Sequence, residues 1–126
     1  SPIIGLEPSA PFLARAIVVR FKYGAAVLWT DQLTDTLEIL APSLSAPLAT
    51  FLGNGILVLL STSTGPAGFE GHLIDLDRRG IHGIHEFTCA GPTPAGMIRT
   101  DLPNQFAVAD CLGKITVHEV SLLTNS

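Results

Sequence analysis

Charge is what this chain has least of. Only 14% of its 126 residues are Asp, Glu, Lys or Arg, against 47% apolar, where an ordinary soluble chain carries about 25% charged residues. Seven Lys and Arg face eleven Asp and Glu. No basic surface can neutralise a row of phosphates, which argues against nucleic acid as a main partner. Cysteine is scarce too: Cys89 and Cys111 permit one intrachain disulfide at most, too few for a disulfide scaffold or a Cys-built zinc site. Long apolar runs are missing. The longest, Gly55 to Leu60, falls far short of the roughly 20 residues of a membrane helix. No charged-then-apolar leader opens the chain, so no membrane association is expected and a soluble protein is the default. The start at Ser1-Pro2 without Met suggests a processed product or a piece of something longer.

What is present is apolar residue in excess of the charge needed to keep it in water, which points to surface buried in a partner or in copies of the same chain. Residues 1–13 hold Pro2, Pro8 and Pro11 and read as an extended arm or linker. Residues 14–121 read as one β domain and residues 122–126 as a tail. Ala14 to Trp29 alternates as a strand, bulged or broken at Gly24. Thr30 to Leu40 reads as a turn followed by a strand. Pro42 and Pro47 make Ala41 to Leu48 loop or edge strand. Strands then follow at Ile56–Ser61, Phe69–Asp77, Ile81–Cys89, Met97–Leu102, Gln105–Ala109 and Lys114–Val120, separated by Gly, Pro and Asn turns. Such spacing predicts an all-β sandwich or barrel.

Three segments carry a family likeness. Gly65-Pro66-Ala67-Gly68-Phe69-Glu70-Gly71-His72-Leu73 resembles the Pro-x-Gly-Tyr-x-Gly-x-Ile turn of the dUTPase superfamily. Phe106-Ala107-Val108-Ala109-Asp110-Cys111-Leu112-Gly113-Lys114-Ile115 is similar to its Val-x-x-Gly-Asp-x-Ile-Ala-Gln-Leu motif, and Gly24-Ala25-Ala26 stands near its Gly-Ala-Ala-Gly-Tyr-Asp-Leu. The resemblance implies a dUTPase-like, jelly-roll-like barrel of short strands, and a homotrimer. It also implies lost chemistry. Cys89 falls where the family's water-orienting Asp belongs, Pro92 where its Tyr belongs, and Arg78-Arg79-Gly80 where its Arg-Ser-Gly belongs. A thiol does not replace a carboxylate as a base without a strongly depressed pKa. The Arg- and Gly-rich C-terminal arm is missing as well. The pattern is similar to non-catalytic viral members, adenoviral ones among them, that bind host proteins in the cytoplasm or nucleus.

Other constellations have plainer readings. His82 and His85 stand three apart beside Glu86, with His72 one strand away. Positions i and i+3 of a strand point to opposite faces, so exposed histidines are expected rather than a metal site. Ser61 or Cys89 with a histidine and Asp75 or Asp77 would make a nucleophilic set, yet no Gly-x-Ser-x-Gly elbow is present. Asp75 and Asp77, or Asp31 and Asp35, read as solvated turn and edge residues. Gly53-Asn54-Gly55 and Gly65–Gly68 lack the following Lys-Ser/Thr of a phosphate loop and read as turns. Phe21, Tyr23 and Trp29, with Phe12, Phe51, Phe69, Phe87 and Phe106, are expected in the core.

The leading expectation is a non-catalytic, self-associating binding or assembly module without cofactor. Its rival is a divergent nucleotide pyrophosphatase binding dUTP and Mg²⁺ through Asp75, Asp77, Arg78, Arg79 and Asp110. A third reading takes Asn104 to Val120 as the closing strands of a β-propeller blade. About three blades of chain cannot close alone, so that reading requires further chain or assembly.

Overall fold

A computed structural model describes residues 3–8, 16–29, 36–52, 55–62, 68–77 and 80–120. Among them the protein is all-β and antiparallel, with no helix. Sheet 1 contains β1 (Ile3–Pro8), β2 (Ala16–Phe21), β3 (Tyr23–Trp29) and β4 (Thr36–Ser45) in that order. Sheet 2 contains β5 (Leu48–Phe51), β6 (Ile56–Leu60), β7 (Phe69–Asp77) and β8 (Gly80–Cys89), also in chain order. Sheet 3 runs β9 (Pro94–Arg99), β10 (Gln105–Asp110), β11 (Ile115–Glu119), with β10 central. Every strand therefore pairs with its neighbour in the chain. The strand exchange between sheets that a jelly-roll arrangement needs is absent among the described pairs.

The layering follows from β6. Its five residues, Ile-Leu-Val-Leu-Leu, are all buried. An apolar run with no alternation is the signature of a strand covered on both faces. Leu57 and Leu59 point one way, with Ala49, Phe51, Ile74 and Leu76, and meet Val18, Val27 and Leu40 of sheet 1. Ile56, Val58 and Leu60 point the other way and meet Phe106 and Val108 of sheet 3, with Leu73, Phe87 and Met97 packed alongside. Sheet 2 is thus the middle of three layers. Sheets 2 and 3 come together along their first strands, β5 and β9.

Several expectations are refined. The N-terminal arm is extended, but it pairs as an edge strand, Leu6 opposite Val19. The alternating segment from Ala14 is two strands: the hairpin's last tight pair is Arg20 with Ala25, and Lys22 sits at the turn. Gly24 is a bulge, as expected, with φ +79° and room for no side chain, since a Cβ would fall 2.8 Å from Pro42 Cα. Phe21 and Tyr23 belong to this tip, and Tyr23 is 55% exposed rather than core. Phe51 and Phe106 are buried, as expected. Pro42 is tolerated because β4 is an edge strand. The short β5 has period-two burial but too few residues to stand out between Pro47 and Gly53. Phe12, Asp31, Asp35, Gly53, Asn54, the turn residues 63–67 and the tail 122–126 lie outside the described residues, as does the side chain of Trp29.

Truncating Leu57, fully buried against sheet 1, tests the layering. Leu57→Ala should cost about 2–5 kcal/mol in urea unfolding, and a loss below ~1 kcal/mol would show that β6 is not a two-sided core strand.

Candidate functional site

Of the five residues nominated for nucleotide binding, only Asp75 and Asp110 have described side chains, and these two lie on different sheets. Asp75 is exposed on β7 of sheet 2, and Asp110 ends β10 of sheet 3. Arg78, Arg79 and the Asp77 side chain lie outside the described residues. Asp110 has a local task. Its Oδ1 accepts hydrogen bonds from the Leu112 amide at 2.8 Å and the Lys114 amide at 3.0 Å. The backbone closes the same turn, with Gly113 N donating to Asp110 O at 3.0 Å and Asp110 N to Lys114 O at 2.9 Å. Gly113, at φ +87°, supplies the left-handed residue such a hairpin turn requires. The Asp-x-Leu-Gly segment is in this structure a hairpin connection between β10 and β11.

The candidate nucleophiles Ser61 and Cys89 are both at least partly buried. Ser61 is buried, and its hydroxyl donates to the Ser45 carbonyl at 3.4 Å. Thr62 Oγ1 donates to Ala46 O at 2.8 Å, so this pair fastens sheet 2 to the end of sheet 1. Cys89 lines a small crevice between sheets 2 and 3 with Phe69, Phe87, Phe106 and His118. Burial pushes its thiol pKa up, which disfavours the thiolate a nucleophile needs. His118, which sequence spacing did not single out, stacks on Phe106 at 5.3 Å between ring centroids, and its Nε2 lies 3.0 Å from Thr116 Oγ1. Both cysteines are free.

Of the four histidines, His82 and His85 are exposed on the edge strand β8, as expected. His72 is not exposed. It sits on the interior strand β7, opposite Leu59 and Glu86, only 6% accessible, and its Nδ1 has no hydrogen-bond partner. Among the described residues no group of three or more His, Cys, Asp or Glu side chains is arranged to hold a metal ion. No helix among them is long and apolar enough to cross a membrane.

The surfaces that remain unexplained are the two ends of the stack. On sheet 3 the register sets Ile98, Ala107 and Val117 in one row and Gly96, Ala109 and Ile115 in the next. Alternation turns both rows away from sheet 2, and every position is apolar. Ile98, Val117 and Ile115 are 67%, 58% and 69% exposed. On sheet 1 the row Leu6, Val19, Ala26, Ile39 faces away from the core formed by Val18, Ala25, Val27 and Leu40. Leu6 and Ile39 stand exposed at its flanks, whereas Val19 and Ala26 between them are buried. Exposed apolar side chains thus stand on the outer side of both end sheets, with others at Ile84, Leu102 and Leu112.

The chain matches no family model, no curated protein and no solved structure. The likeness to the dUTPase superfamily rests on the quoted motifs alone.

The role assigned to Asp110 is open to direct test. Asp110→Asn keeps the Oδ1 acceptor and should leave urea stability within about 0.5 kcal/mol, whereas Asp110→Ala should lose about 1 kcal/mol or more. Equal damage from both would mean that the carboxylate charge, not the turn, is what the position needs.

Proposed function

We propose that this protein is a non-catalytic assembly module, a stack of propeller-type blades that acts by laying its two apolar end faces against further β-sheets. One observation carries the reading: Ile98, Ile115 and Val117 stand exposed together on the outer face of sheet 3, and Leu6 and Ile39 stand exposed on the outer side of sheet 1. A sheet with an apolar face is unstable in water until that face is covered. The consecutive antiparallel strands of each sheet, and the close approach of β5 to β9, support blades of a propeller over the barrel of a dUTPase-like protein. Repeat architectures of this kind contact only their neighbours, and their terminal faces need capping. The dUTPase-like reading, whether as a viral trimer that binds host protein or as a Mg²⁺-dependent pyrophosphatase, rests on the three motifs. Turnover separates its catalytic form from the assembly module.

Two measurements test the module. With dUTP and Mg²⁺, pyrophosphate release should not exceed the buffer control; enzyme-like turnover would move the protein to the hydrolase class. An apolar fluorescent dye should bind the dilute wild-type chain. The signal should fall severalfold in a variant carrying Leu6→Lys, Ile39→Lys, Ile98→Lys and Val117→Lys, with an unchanged unfolding midpoint. A dye signal indifferent to the lysines, or a variant that unfolds because these faces are core, would refute the reading.

A further inference from the structure

We infer that the free edge of β11 is a docking site for the same edge of a second copy of this chain, the two strands pairing antiparallel about a two-fold axis at Thr116. The inference concerns a sheet edge and stands apart from the end-face reading above. An edge strand presents a row of backbone N–H and C=O groups whose chemical complement is another strand, and proteins ordinarily blunt such edges with prolines, bulges or cover. The other edges among the described residues are blunted. β1 contains Pro8 and breaks register between Ile3 and Gly5. β4 contains Pro42 and breaks register opposite Gly24. β8 breaks register opposite Asp75 and Leu76. β9 starts at Pro94 and breaks register opposite Asp110. β5 has four residues and lies against β9. β11, by contrast, pairs without a break and holds no proline. Its free edge is also the position at which sheets 1 and 2 carry their fourth strands, β4 and β8.

The pairing of β11 with β10 fixes which groups face outward. Asp110 N donates to Lys114 O at 2.9 Å and Val120 N to Asn104 O at 2.8 Å, so Lys114, Thr116, His118 and Val120 turn their backbone groups toward β10. Backbone direction alternates along an antiparallel strand. The N–H and C=O of Ile115, Val117 and Glu119 therefore point away from β10, where no strand stands among the described residues. A second copy must match these positions with the same set. With the axis at Thr116, Ile115 faces the partner's Val117 and Val117 faces the partner's Ile115, each pair exchanging both of its backbone hydrogen bonds. The β-branched side chains of both copies, exposed in the single chain, then meet on one face, a cross-strand contact that stabilises a sheet. Glu119 falls opposite the partner's Gly113 and Lys114 opposite the partner's His118, so no carboxylate faces a carboxylate and no lysine a lysine. An axis at Val117 would set Ile115 against the partner's Glu119 instead. The edge is thus complementary to itself in one register.

The test uses the full 126-residue chain, its mass by sedimentation equilibrium, and amide hydrogen exchange at Ile115 and Val117. Wild type should sediment as two chains with both amides protected. Val117→Pro removes an outward N–H and no bond to β10, which an edge strand tolerates. It should sediment as one chain with an all-β circular dichroism spectrum. Thr116 is exposed, so Thr116→Lys and Thr116→Glu should fold as wild type does; each opposes like charges across the axis and should weaken the pair severalfold. An equal mixture of the two opposes Lys to Glu and should associate severalfold more tightly than either alone. If the proline variant fails to fold, the two Thr116 variants and their mixture decide the matter. A single-chain mass at every concentration would overturn the inference. So would a wild-type mass retained by folded Val117→Pro, or a mixture no tighter than its components. Protected amides at Ile115 and Val117 in a single-chain species would show that a different segment covers the edge, and would overturn the second copy.

Discussion

Everything in this fold depends on a strand that has no polar side. β6 carries apolar side chains on both of its faces, so its sheet needs cover above and below. Sheet 1 and sheet 3 supply that cover, each with the apolar face of an antiparallel meander. The same demand then passes outward. On sheet 3, Ala107 and Ala109 with Ile98, Ile115 and Val117 keep apolar residues on the outer face beside the polar pair Gln105 and Glu119.

The polar chemistry is subordinate to this layering. Ser61 and Thr62 hold the second sheet to the carbonyls at the end of the first, Asp110 organises a hairpin, and burial raises the pKa of the Cys89 thiol. His72 is the exception: a buried ring nitrogen without a partner normally costs about 1–3 kcal/mol. The neighbouring Leu59 and the rest of the core bury it all the same. These are the groups a sequence reader nominates first, because Asp, Ser, Cys and His are the residues of catalysis. In this protein their described contacts are those of turns, fasteners and packing.

The strand content was legible in the sequence because alternation over five or more residues leaves little doubt, as in Phe69–Asp77 and Gln105–Asp110. The two-sided burial of Ile56–Leu60 was legible in principle from its lack of alternation. What a single strand cannot say is which sheet covers it. The hairpin at Lys22 was missed because its tip, Phe21 to Gly24, keeps aromatic residues where a turn usually carries polar ones, and β5 was missed because four residues between two turns carry almost no pattern. The propeller alternative was raised from one hairpin, Asn104 to Val120. The motifs shared with the dUTPase superfamily are built from glycines, an aspartate and apolar residues around tight turns, and any β protein with tight hairpins needs those residue types. The end faces escaped notice because outward and inward rows of an apolar sheet look alike until the register and the neighbouring layer are known.

The central claim is that the strands form consecutive meanders stacked face to face. Backbone nuclear Overhauser effects between Hα protons test it most directly, because antiparallel neighbours bring these protons together across the pair. The account predicts such contacts only between strands adjacent in the chain, β5 with β6, β6 with β7, β7 with β8 and their counterparts, together with methyl contacts from Leu57 to Val18 or Val27 and from Val58 to Phe106. Hα contacts between strands remote in sequence, of the kind a barrel with exchanged strands produces, would contradict it.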